Sequence, residues 1–138
     1  MTKLFAFWEE SNGSGIAFSS STGFRLPNGA TRSPDLAWLP RSRWERLTPD
    51  QRKRFPPICP DFVAEVRSEN DSPGVLRAKM QEYLDNGARL GWLIDPLEKK
   101  VYVYRPGEEP ICLDNPESVS GDPVLPAFNL DLRRLWSS

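Results

Sequence analysis

The stretch PDFVAEVRS, Pro60 to Ser68, constrains this chain more than any other. A strand sends successive side chains to opposite faces. Phe62, Ala64 and Val66 therefore form one apolar side, while Asp61, Val63, Glu65 and Arg67 share the other. A carboxylate inside a buried strand is costly unless it is paired or bound to a metal. Whatever packs on the acidic face must answer that charge.

The flanking segments supply a sheet around it. IAFSSSTGFRL reads as a strand, and PNGA as a tight hairpin with Asn28-Gly29 suited to positive φ. TRSPDLAWLP reads as the return strand, with Leu36 and Trp38 on one side and Asp35, Ala37 and Leu39 on the other. LTPDQ carries helix-start chemistry: Thr48 as N-cap, Pro49 at the first position and Gln51 at the third. DSPGVLRAKMQEYLDNG is a second helix, started by Ser72 and Pro73 and stopped by Gly87. Its expected apolar stripe is Val75, Leu76, Met80, Tyr83 and Leu84. LGWLID and VYVYR are strands, and the tail suggests a short strand, a proline-rich loop and a short helix. LFAFWEE at the start looks like the end of a helix. The order implies one α/β domain over residues 1–138, a mixed sheet flanked by helices.

Composition narrows the chemistry. There is no histidine, which removes Ser-His-Asp and Cys-His machinery and most transition-metal sites. Cys59 and Cys112 lie far apart in no ligand spacing, so both are expected as small buried thiols in a reducing compartment. No apolar run approaches the about 18 residues of a membrane span, and no secretory signal opens the chain. The expected location is cytoplasmic, with no membrane partner.

Asp35 stands about thirty residues before Glu65, each on a strand. Paired strands would converge the two acids on one point. Mg²⁺ takes one or two carboxylates plus water and phosphate oxygens, and such an ion activates water and offsets charge on a phosphoryl transition state. Arg67, or a lysine of the following helix, would complete the site. Asp61, about 13 Å from Glu65 at strand rise, is too far to share an ion and is expected to be structural.

This is the pattern of the PD-(D/E)xK nucleases, and the chain resembles the Uma2 family of endonucleases within them. The resemblance is carried by STGFRLPNGATRSPDLAWLP, RWERLTPDQRKRFPPICPDFVAEVRS, KMQEYLDNGARLGWLIDP, VYVYRPG and LPAFNLDLRRLW, in that order. It implies a restriction-endonuclease-like fold and a bacterial, Mg²⁺- or Mn²⁺-dependent endonuclease, with DNA the expected polymer. It places the first acid on Asp35 and the second on Glu65. Val66, with only backbone groups to offer, joins them among the metal positions. Arg67 occupies the usual lysine position, and the basic role passes to Lys79. Relatives carry further N-terminal residues where this chain starts with MTKLFAFWEE, and often an acid where Ser19 stands; Glu9 and Glu10 are candidates to replace it. A non-catalytic family member that binds nucleic acid or protein is the competing expectation, and a homodimer is left open.

With net charge −1 the molecule has no overall attraction for polyanions. Its one dense basic segment runs from Arg41 to Arg54, where Arg41, Arg43, Arg52, Lys53 and Arg54 are candidates to grip phosphates beside the site. A solvated helix face is the alternative reading of the same charges.

Overall fold

A computed structural model describes residues 15–137; LFAFWEE, Glu9 and Glu10 lie outside them. The elements, in chain order, are β1 (Gly15–Ser19), β2 (Phe24–Arg25), β3 (Thr31–Arg32), β4 (Leu36–Pro40), α1 (Arg41–Glu45), α2 (Pro49–Lys53), β5 (Phe62–Val66), α3 (Pro73–Asp85), β6 (Leu90–Asp95), β7 (Lys100–Tyr104), β8 (Ile111–Asp114), β9 (Ser118–Ser120), β10 (Asn129–Asp131) and α4 (Arg133–Ser137).

Six strands form one mixed sheet in the order β1-β4-β5-β6-β7-β8. Only β5 and β6 run parallel, joined through α3; the remaining neighbours are antiparallel. Strand alternation sorts the core. Leu36, Trp38, Phe62, Ala64, Trp92 and Ile94 face the C-terminal β9–β10 pair, with Phe128, Leu130 and Leu132 packed against them. Ala37, Leu39, Val63 and Leu93 face α3, which buries Leu76, Met80, Tyr83 and Leu84. Gly91 lets α3 come this close, since a Cβ there would stand 2.7 Å from the Met80 methyl.

Local signals and tertiary demands disagree at several points. The first expected strand breaks into β1 and β2 at a turn closed by Thr22 N–H to the Ser19 carbonyl, 3.2 Å. Its return breaks into β3 and β4 around Pro34, which has no N–H for a ladder. In the hairpin tip only Gly29, φ 91°, takes a positive φ. Leu26 O accepts from Gly29 N–H at 2.8 Å, with Pro27 next in line, so the tip needs one left-handed residue instead of two. Val75 is not part of the apolar stripe: it is 64% exposed, about a third of a turn off the face that meets the sheet. Cys59 is buried, but Cys112 is exposed on the edge strand β8, contrary to expectation. The α2 start forms the full reciprocal cap, Thr48 Oγ1 accepting from Gln51 N–H and Gln51 Oε1 from Thr48 N–H.

Candidate active site

The β4–β5 register sets Leu36 opposite Ala64 and Ala37 opposite Val63. One step outward along the same ladder stand Asp35 and Glu65, on the face that α3 covers. Asp35 Oδ2 accepts a 2.8 Å hydrogen bond from Val66 N–H, which ties the first acid to the strand bearing the second.

Helix α3 delivers the other two groups. Lys79 and Tyr83 are four residues apart, so they lie one above the other on one helix face. The Tyr83 hydroxyl donates to Glu65 Oε2 at 2.8 Å, and Lys79 Nζ stands 3.8 Å from the same oxygen. Glu65 is only 4% exposed, while Lys79 is partly open to solvent. Burial raises the Glu65 carboxyl to about 7, and the charge of Asp35 adds to the rise. The Tyr83 hydrogen bond and the Lys79 charge oppose it. Burial also drives the Tyr83 phenol far above its ordinary range, so it stays protonated as a donor.

The hairpin that leads into Asp35 is buckled to the same helix. Arg32 Nε meets Glu82 Oε1 at 2.5 Å, Asn28 Nδ2 donates to Glu82 Oε2 at 3.1 Å, and Asn86 Oδ1 accepts from Asn28 N–H at 2.9 Å. Thus α3 holds both acidic strands, one through Glu65 and one through the hairpin.

Arg67 shares the face of Glu65 but turns to the end of β6. Its Nη1 meets Asp95 Oδ2 at 2.8 Å and Glu98 Oε2 at 3.5 Å. Buried Asp95 also accepts from Leu97 and Glu98 N–H through Oδ1, so this pair closes the β6–β7 turn. Asp61 lies at the other end of β5, where Arg43 pairs with it and also donates to the Cys59 carbonyl at 3.2 Å. Arg89 stands 3.6 Å from Asp61 Oδ2.

The basic connection neither starts nor ends beside the acids. It leaves β4 at Pro40 and enters β5 at Phe62, the strand ends opposite Asp35 and Glu65. Two of its five candidate phosphate ligands already have structural partners: Arg43 neutralises Asp61, and Arg52 lies over the Trp44 ring and donates to the Trp44 carbonyl. Lys53 reaches Asp50 across an exposed helical turn, and Arg41 and Arg54 are exposed. Ser19 pairs with Leu36, so it shares the face opposite Asp35.

Tyr83 was visible in sequence as a member of the helix's apolar stripe, with nothing to mark it as a partner of Glu65. Asp95 was missed; its one signal is an acid closing the apolar run LGWLI.

Among the described residues no group of three or more His, Cys, Asp and Glu side chains is arranged to hold a metal. A cage built wholly from protein side chains is therefore not what these residues offer. Two oxygen donors across one strand pair, one of them buried and raised by the other, suit a hard cation that keeps water and takes substrate oxygens.

No curated protein matches the chain. Among solved structures it is similar to one described as a "putative nuclease belonging to DUF820" from Anabaena variabilis ATCC 29413. The two are 25% identical with a TM-score of 0.80, over 98% of this chain and 75% of that one. The fold is thus the mixed α/β fold of that protein. A family model described as "Putative restriction endonuclease" matches residues 1–133, and the chain belongs to that family, Uma2.

Proposed function

We propose that this protein is a metal-dependent endonuclease that hydrolyses phosphodiester bonds of nucleic acid, with DNA as the expected substrate. The observation that carries the reading is the meeting of Glu65 with Asp35, Lys79 and Tyr83 at the end of two paired interior strands. A structural salt bridge would need only Glu65 and Lys79. It would not need a second carboxylate whose charge works against the first.

Asp35, Glu65 and the Val66 backbone are the positions that would hold Mg²⁺ or Mn²⁺. When bound, such an ion supplies Lewis-acid activation of water and charge neutralisation at the scissile phosphate. The protein's own groups do the rest. Without an ion, burial raises the Glu65 carboxyl to about 7, and a bound cation would draw it to the carboxylate form that can act as a ligand. The Lys79 ammonium can donate to the attacking water or to a non-bridging phosphate oxygen, where negative charge builds. Tyr83 keeps the Glu65 carboxylate aimed. Arg67 is assigned to the Asp95 turn, leaving Lys79 as the basic group of the site.

Nicking of supercoiled plasmid in Mg²⁺ tests this reading. Activity that disappears with chelator and returns with Mn²⁺ is expected; an inert protein that still binds DNA would place it instead among non-catalytic binding modules.

A further inference from the structure

We infer that Phe55 is a stacking platform for an unpaired nucleobase, so that the site works on single-stranded or locally opened nucleic acid. This rests on the nuclease reading above and adds a substrate class to it.

Phe55 is the one exposed aromatic among the described residues, with half its surface open. Among the described residues, Phe62 packs against Trp92, Trp92 against Phe128, and half-buried Phe18 against Phe24 and Trp44. An open phenyl ring forgoes part of its hydrophobic stabilisation.

The ring is also held in place. The Arg25 guanidinium lies over it, 5.9 Å from the centroid, and Arg25 Nε is fixed in turn by Thr31 Oγ1 at 2.9 Å. Arg25 N–H donates to the Pro56 carbonyl at 2.9 Å, which clamps the loop just after Phe55 to β2. Gly23 lets the ring approach, because a Cβ there would stand 3.0 Å from the phenyl and 3.1 Å from Ser33 Oγ.

Charge and place select the occupant. Arg25 lies over the ring and exposed Lys53 and Arg54 directly precede it in the chain, a local cationic excess that suits a base on the ring with its phosphates alongside. Ser33 precedes Asp35 by two residues, at most about 7 Å of chain, so the platform stands beside the segment that leads into Asp35. Here the basic connection, after leaving the far end of β4, meets β2. In a duplex the faces of each base are covered by its neighbours; only an unstacked base can lie on Phe55.

The test is fluorescence anisotropy with a short labelled oligothymidylate and a blunt duplex of equal length, in Ca²⁺. We expect Phe55→Ala to weaken the single strand about 10-fold or more, as loss of one stacked base does, and the duplex by less than 2-fold. Phe55→Trp should restore single-strand binding. Equal losses on both probes, no loss on either, or no rescue by tryptophan would overturn the inference while leaving plasmid nicking, measured separately, to judge the nuclease reading. Wild-type protein that binds neither probe overturns it as well.

Discussion

Tyr83 and Glu65 are joined by a 2.8 Å hydrogen bond inside the sheet–helix interface, with the phenol as donor. That bond fixes which way the second acid of the site points. Groups that orient a metal-binding carboxylate typically account for about 10–100-fold in affinity. Tyr83→Phe should therefore weaken Mn²⁺ binding by about that factor in a calorimetric titration. The fold should survive with a loss of about 1 kcal/mol, since the ring stays packed. Unchanged Mn²⁺ affinity would reduce Tyr83 to a core residue.

Glu65 gives the metal-free protein a pH signature. Its folded carboxyl is raised to about 7 from an ordinary 4.5, so the folded state holds its proton more tightly than the unfolded chain. Its contribution to stability is therefore fully present below about pH 4.5 and is lost as pH rises through 7. Glu65→Gln should be the more stable protein at pH 8, by up to about 3 kcal/mol, and should lose that advantage below about pH 4.5. Denaturant melts across this range check it; a gap that grows toward low pH would contradict it. Mg²⁺ or Mn²⁺ should raise the melting temperature of the wild type at pH 8 and leave Glu65→Gln unmoved.

Within the basic connection, Arg43 and Arg54 should behave differently. Arg43→Ala strips the main partner from Asp61, a carboxylate only 4% exposed, and should cost about 2–3 kcal/mol, softened by Arg89 and by the partial exposure of Arg43. Arg54→Ser should leave stability within about 0.5 kcal/mol. If Arg54 touches phosphate, its loss should lower the log–log salt slope of DNA binding by about one unit. Equal melting temperatures for the two variants would show that the Arg43–Asp61 pair is not structural.

Much of this architecture can be read from local chemistry. Thr48-Pro49 and Ser72-Pro73 mark helix starts, Gly87 at φ 117° marks a stop, and the alternation in PDFVAEVRS sorts its side chains between two cores. The side of the sheet shared by Asp35 and Glu65 follows from the same two-residue period. What cannot be read is the direction in which long side chains settle. Arg67 has the parity to face Glu65, yet its reach lets it close a turn with Asp95 across β6. The basic run shows its charge in sequence, but antiparallel pairing of β4 and β5 decides that it starts at the opposite end from the acids. Val75 keeps helical spacing with Leu76 and Met80 only loosely, and the burial of α3 depends on its tilt against β6.

Lys79 offers the most direct test, because it can be removed without touching either acid. Lys79→Ala should bind Mn²⁺ at least as well as wild type, having lost a cation beside Glu65, and should melt within about 1 kcal/mol of it. The measurement is the Mg²⁺-dependent nicking rate of supercoiled plasmid by wild type, Lys79→Ala and Asp35→Asn. The expected result is a wild type silenced by chelator and a loss of about 10²-fold or more in Lys79→Ala, with Asp35→Asn as inactive. Nicking by Lys79→Ala at the wild-type rate, or by wild type without divalent metal, would contradict the assignment of this site.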